Sequence, residues 1–281
     1  MMNKLICTLI LLTSAALADT QTDIEYARAG EVSLKLDLHR PQAENPPLLV
    51  YVHGGGWRAG DKKDMPVVDL YDKGYAIASV DYRLSTQAVF PAQVHDIKAA
   101  IRFLRSNAGV YHINASKIAI VGSSAGGHLA ALVGVSNGSK ELEGSIGEHL
   151  DQSSDVQAIV SYYGASNLES ILSQSTPKGL EFRIPALKLL LGDTPDKKPE
   201  LARLASPVKH LDKKDPPLLL IHGDADPQMP PQQSQELAKA CEKQGLPVTL
   251  ILLPGSLHGG AEFYDEERTA IVAKFLDKVL R

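Results

Sequence analysis

The sequence predicts an α/β fold in which a mostly parallel β-sheet is covered by helices on both faces. Short, nearly continuous apolar runs alternate with amphipathic segments along most of the 281 residues, the pattern of strands buried on both faces. Each glycine-rich motif directly follows one of these runs, which collects the motifs at the carboxyl edge of the sheet, where α/β proteins place their chemistry. No internal repeat, low-complexity tract or linker interrupts the alternation.

The first 18 residues stand apart. Lys4 precedes the apolar stretch Leu5 to Leu12, and Ala16-Leu17-Ala18 forms a small-x-small site before Asp19, so 1–18 reads as a cleaved secretory signal. The stretch is shorter than the ~20 residues that cross a bilayer, so no stable membrane anchor is expected, and the location implied is periplasmic or secreted. Residues 19–281 are expected to form a single domain. Loss of Cys7 with the signal leaves only Cys241, and therefore no intramolecular disulfide. In "SQELAKACEKQG" that thiol reads as a small buried hydrophobe. A formal charge of −4 without a basic block excludes a nucleic-acid partner.

Along the mature chain, "TDIEYARAG" and "VSLKLDLHRP" are extended, the second alternating apolar and polar residues. "LLVYVHGGGW" is an apolar run ending in glycines, and "YAIASVDYRL" is a further strand. "FPAQVHDIKAAIRFLRSNA" carries Val94, Ile97, Ala100, Ile101 and Leu104 at helical spacing. "KIAIVG" is a strand and "SAGGHLAALVGVS" its helix; "VQAIVSYYG" and "PPLLLIHGD" are strands. "PQQSQELAKACEKQG" is a helix ended by glycine, "PVTLILLPG" a strand, and "AEFYDEERTAIVAKFLDKVLR" the last helix. The segment 168–206 shows helical character without a strand, and is expected to be a helical excursion over the sheet edge that helps bind substrate.

Gly122-Ser123-Ser124-Ala125-Gly126 fits G-x-S-x-G in one register only. Ser124 is then the nucleophile on a tight strand-to-helix turn, and Ser123 a small neighbour that lets the turn close. A serine hydroxyl needs a base, and among nine histidines only His258, in "PGSLHGGAEF", follows the acidic candidates. Those are Asp224 and Asp226 in "LLLIHGDADPQMPPQQ". Asp226, deeper in the loop before Pro227, is preferred to orient the imidazole, with Asp224 as runner-up and otherwise structural. A metal reading of His222, Asp224 and Asp226 lacks a second histidine at ligand spacing. In "HGGGW", the amides of Gly55 and Gly56 are expected to join that of Ala125 in an oxyanion hole. Trp57 is expected at the pocket mouth as a wall for an acyl or aryl group, core filling being the alternative. His53 is read as shaping the glycine loop, His128 as a packed helix residue, and Asp81 and Arg83 as an ion pair.

"HGGGWRAGDK", "VDYRLS", "FPAQVHDIKAAIRFLR", "VGSSAGGHLAAL", "SPVKHL", "PPLLLIHGDAD" and "PGSLHGG" occur in one order over nearly the whole mature chain. Together they resemble an α/β-hydrolase of the bacterial carboxylesterase kind, near the feruloyl-esterase and acetyl-esterase branch. The resemblance implies an α/β-hydrolase fold and a Ser-His-Asp triad working through an acyl-enzyme, with no metal or organic cofactor. It also implies short-acyl, feruloyl or acetylated-carbohydrate esters as substrates. It favours Asp226, the second aspartate of an "HGDxD" loop. Gln228 and Met229 depart from the branched apolar residues of the family, and the short strand-like stretch before His53 implies an open site. A kynurenine-formamidase-like amidase shares the motifs but suits a cytosolic substrate. A non-catalytic hydrolase-fold binding protein is the third reading. Acyl group, alcohol and oligomeric state are left open.

Overall fold

In the computed structural model, which describes residues 19–281, eight strands form one sheet. The expected signal segment 1–18 lies outside the described residues. The strands are β1 (Asp19–Ala29), β2 (Val32–Arg40), β3 (Pro47–Val52), β4 (Ala76–Val80), β5 (Asn114–Ser123), β6 (Ala158–Tyr162), β7 (Leu218–Gly223) and β8 (Val248–Leu253). Their order is β1-β2-β4-β3-β5-β6-β7-β8. β1 and β2 form an antiparallel edge, β2 meets β4 antiparallel, and every other pairing is parallel. The helices are α1 (Ala92–Ser106), α2 (Ala108–Tyr111), α3 (Ala125–Gly134), α4 (Lys140–Glu143), α5 (Ile171–Gln174), α6 (Pro177–Leu191), α7 (Pro199–Leu204), α8 (Gln232–Gln244) and α9 (Glu266–Leu280).

Side chains alternate across a strand, and the central strands are apolar on both sides because both sides are covered. Leu48, Val50 and Val52 of β3 face one core with Ile97 of α1, Leu129 and Leu132 of α3, and Leu237 and Cys241 of α8. Leu49 and Tyr51 face the other, with Val272, Leu276 and Leu280 of α9. Every residue of α3 is buried, which is why its sequence is apolar and small all round. Cys241 is a buried free thiol.

Between 168 and 206 the chain holds α5, α6 and α7 and no strand. α6 starts on Thr176, whose hydroxyl accepts from Gly179 N at 3.1 Å, with Pro177 in its first turn, and stops at Gly192 with φ 82°. It buries Ala186, Leu187 and Leu190 in the core shared with α1 and α3, and Leu190 O accepts from Phe90 N at 2.8 Å. No helix of the described residues is long and apolar enough to cross a membrane.

Asp81 and Arg83 do not pair with each other. Arg83 forks onto the fully buried Asp96 of α1, with Nη2–Oδ1 at 2.6 Å and Nε–Oδ2 at 2.8 Å. Asp81 Oδ1 instead accepts from Lys62 N at 2.8 Å. A bidentate fork on a carboxylate held by a helix is the stronger arrangement.

Candidate active site

The carboxyl ends of β3, β5, β6, β7 and β8 point the same way, so the segments after Val52, Ser123, Tyr162, Gly223 and Leu253 share one edge. Ser124 joins β5 to α3 with φ 54° and ψ −118°, a backbone conformation that costs free energy for a residue with a side chain. The turn is held by Ser124 N donating to Tyr162 O at 2.9 Å and by His128 N donating to Ser124 O at 3.0 Å. Its glycines are required by contact. A Cβ on Gly122 would lie 2.3 Å from Gly126 O, and one on Gly126 would lie 2.0 Å from Val52 O.

His258, in the loop after β8, places Nε2 2.8 Å from Ser124 Oγ and Nδ1 2.6 Å from Asp226 Oδ2. Nδ1 faces a carboxylate and therefore donates, which leaves Nε2 to accept from the serine hydroxyl. The ring stands edge-on to Tyr163, with centroids 4.8 Å apart at 64°. Asp226 is buried, and its Oδ1 accepts from Gln228 N and Met229 N, both at 2.8 Å. Burial would raise its carboxyl, but hydrogen bonds from His222 and His258, the His258 charge and the Met229 amide outweigh it. The group is held well below the usual carboxylate range.

The sequence offers His222 only as a possible metal ligand. Its Nε2 faces two acceptors, Met229 O at 3.0 Å and Asp226 Oδ2 at 3.3 Å, so it donates, while Nδ1 lies 2.7 Å from the Ser234 hydroxyl. The i,i+4 spacing to Asp226 is the signal that could have suggested this pairing. Asp224 is exposed and does a different job: its Oδ1 accepts from Gly255 N at 2.7 Å, tying the loop after β7 to the loop after β8. Among the described residues no group of three or more His, Cys, Asp or Glu is disposed to hold a metal ion.

The glycine loop after β3 brings Gly54 against the nucleophile, where a Cβ would lie 3.4 Å from Ser124 Cβ. Gly55, at φ 101°, turns the loop by accepting from Arg58 N and Ala59 N, each at 3.1 Å; a Cβ there would sit 2.0 Å from Ala59 O. Gly56, at φ 60°, faces Phe182 of α6, 3.3 Å from where its Cβ would be. Ala125 opens α3, so its N–H is among the amides with no intrahelical partner and sits at the positive end of the helix. His53 is buried, stacks on Tyr82 at 4.4 Å and has Nδ1 2.8 Å from Gly54 O.

Trp57 departs from the expected place at the pocket mouth. It is 1% exposed, and its indole N–H donates to His128 Nδ1 at 3.1 Å in an edge-on contact. A buried indole needs an acceptor, and His128 supplies one because its Nε2 faces Ala205 O at 2.7 Å and so carries the proton. Burial, partly opposed by that backbone bond, lowers the His128 pKa to about 4. The partly exposed aromatic beside Gly56 is instead Phe182, 37% exposed, with the Arg58 guanidinium 5.1 Å from its ring centre. Its position in a helix far along the chain left no sequence signal tying it to the glycine loop.

Several known proteins share this framework. Esterase LipC of Mycobacterium tuberculosis is 32% identical over 84% of this chain and 59% of its own length. The chain thus spans little more than half the length of the curated relatives it matches. A truncated carbohydrate esterase from gut microbiota superposes with a TM-score of 0.84 at 32% identity, over 95% of this chain and 98% of that one. A bifunctional GH43-CE protein of Bacteroides eggerthii gives 0.85 at 33%, over 93% of this chain and 35% of that one. The BD-FAE family model matches residues 36–241, from β2 through the glycine loop, the elbow serine and the Asp226 loop to α8. With the sheet, the motif order and this match in agreement, the chain belongs to the BD-FAE family of α/β-hydrolases.

Proposed function

We propose that the protein is a serine esterase acting on carboxylic esters, with short-acyl, feruloyl-type or acetylated-carbohydrate esters as substrates. The observation that carries this reading is the continuous chain Ser124 Oγ–His258 Nε2–Nδ1–Asp226 Oδ2, at 2.8 and 2.6 Å. The names of the solved relatives support it. In the reaction, Ser124 Oγ bonds to the ester carbonyl carbon as its proton passes to His258 Nε2. The amides of Gly55, Gly56 and Ala125 receive the charge on the carbonyl oxygen; such a donor is worth about 10²–10³ in rate. The carbon–oxygen bond to the alcohol then breaks, and the leaving alkoxide takes the proton from Nε2. Water repeats the attack on the acyl-enzyme, returning Ser124. Asp226 stays a carboxylate throughout, held so by its four donors.

A fluorophosphonate should label Ser124 alone and abolish hydrolysis of p-nitrophenyl acetate. Ser124→Ala should lose about 10⁴-fold or more in kcat. An unlabelled Ser124 in an active enzyme overturns the reading. Export through residues 1–18 belongs to the same proposal. N-terminal sequencing of the protein recovered outside the cytoplasm should begin at Asp19.

A further inference from the structure

His258 is carried by a loop with little structure of its own. Residues 254–260 form no helix or strand, and Gly255, Gly259 and Gly260 lie at φ 72°, 81° and 131°, where glycine pays no steric cost. The near end of this loop is fastened to the loop after β7, through Gly255 N on Asp224 Oδ1 and Ala225 N on Ser256 O at 3.1 Å. The far end folds round a single buried ring, that of Tyr163. His258 meets this ring edge-on and so does Phe263, each with its centroid 4.8 Å away. A Cβ on Gly259 would lie 3.3 Å from the Tyr163 hydroxyl. That hydroxyl lies 2.6 Å from the hydroxyl of Tyr264, the residue before Asp265, which caps α9.

Tyr163 holds its own place at a cost. Its φ is 41°, an outlier for a bulky aromatic residue, and such strain persists only where the surroundings over-determine it. Here Tyr163 N donates to Ile221 O of β7 at 2.7 Å. The next residue, Gly164, is pressed so close to α3 that a Cβ would come within 2.6 Å of Gly127 C. One residue back, Tyr162 O accepts from Ser124 N. The pair Tyr162-Tyr163 is thus bonded to the elbow that carries Ser124 and to the strand that leads to Asp226, and its second ring abuts His258. Glycine would take this φ without strain, but it would leave His258 and Phe263 without the ring they pack on.

We propose that Tyr163, clamped by Tyr264, is the positioning residue for His258, and that it fixes the imidazole where Nε2 can serve both Ser124 and the departing oxygen. The assignment rests on the esterase reading and adds to it the residue that aims the base. Asp226 sets which nitrogen carries the proton, whereas Tyr163 sets where the ring stands. The two tasks differ in what they demand of the leaving group. An ethoxide must take the proton from Nε2 as its carbon–oxygen bond breaks, while p-nitrophenolate is stable as an anion and departs without it. An imidazole that has lost its backing is therefore penalised more on an alkyl ester than on an aryl ester.

The test uses the full chain with ethyl acetate and p-nitrophenyl acetate, which give the same acyl-enzyme. A change in the amount of folded protein lowers kcat/KM on both esters equally, so their ratio reports the aim of His258 alone. Tyr163→Leu should lower kcat/KM on ethyl acetate about 10²-fold, as a misplacement of about 1 Å does, and the ratio of alkyl to aryl ester about tenfold. Tyr163→Phe keeps the ring and loses the hydroxyl pair, so the ratio should fall about fivefold. Tyr264→Phe removes the same bond from the other side and should match it, with the double variant within about twofold of either single. Where Tyr163→Leu does not fold, the phenylalanine variants decide alone. A ratio within about twofold of wild type in every folded variant overturns the assignment, and additive losses in the double variant overturn the clamp. A wild-type enzyme that cleaves neither ester overturns the esterase reading first, and the assignment with it.

Discussion

Asp226 and Arg183 are both buried, 5% and 2% exposed, and both lie against Met229, yet they are treated in opposite ways. Asp226 sits in a loop whose amides turn inward, and it is met by Gln228 N, Met229 N, His222 and His258. Arg183 projects from α6, whose amides are already used along the helix. Its Nη1 touches only Met229 Sδ at 3.6 Å, and Nε and Nη2 have no hydrogen-bond partner. The carboxyl is pulled well below its ordinary range, whereas burial, partly offset by the Asp226 charge, pushes the guanidinium down to about 10. A buried charge is tolerated cheaply only where the backbone answers it. The sheet edge does so, and the helical segment over it does not.

The largest effect should come from breaking the answered side. Asp226→Asn removes the carboxylate that fixes the His258 tautomer, and kcat on p-nitrophenyl acetate should fall about 10⁴-fold. Asp224→Asn, which keeps an amide oxygen to accept from Gly255 N, should stay within about threefold. If the two losses are similar, the assignment of the acid is wrong.

A second, smaller effect separates the buried histidine from the carboxylate by pH. His128 titrates at about 4 in the folded chain, against ~6.5 unfolded. Between these values the unfolded chain holds a proton that the folded chain does not. Stability from this group is therefore full above about 6.5 and falls by ~2–3 kcal/mol on going from pH 7 to 4.5. The contribution of Asp226 has the same sign but a lower window, since it is complete above ~3.9 and is lost only below that. Urea unfolding at pH 7 and 4.5 should show a drop that shrinks by about 2 kcal/mol in His128→Gln. An unchanged drop removes His128 as its source.

What was legible in the sequence follows the same division. The strands and the elbow glycines are readable because they depend on local signals, and Ser124, Asp226 and His258, picked out by register and by order along the chain, come within hydrogen-bond distance of one another. Apolar runs mark strands, and Gly122 and Gly126 mark backbone contacts that no side chain fits. Trp57 was less legible, because whether an aromatic after a glycine turn points out or in depends on the acceptor it finds; here that is His128, 71 positions away. Phe182 and Arg183 were not legible at all. Their contacts with Gly56 and Met229 are set by how α6 lies across the edge, and that docking leaves no periodic trace in either segment. The Arg83–Asp96 fork was missed for a related reason, since sequence proximity made Asp81 look like the partner.

The unanswered side can be broken in the favourable direction. Met at position 183 would keep most of the apolar stem that packs under α6 and would remove two buried donors without partners. Each such donor typically costs about 1–3 kcal/mol, and replacing buried charge with apolar volume is often stabilising. Arg183→Met should therefore gain about 1–3 kcal/mol in urea unfolding, seen as a higher midpoint at an unchanged m-value. Asp226 keeps all four donors in this variant, so kcat on p-nitrophenyl acetate should stay within about threefold. Loss of stability would mean that the attraction between the Arg183 charge and Asp226 outweighs the cost of its unpaired nitrogens, and the contrast between the two regions would then be one of geometry rather than of energy.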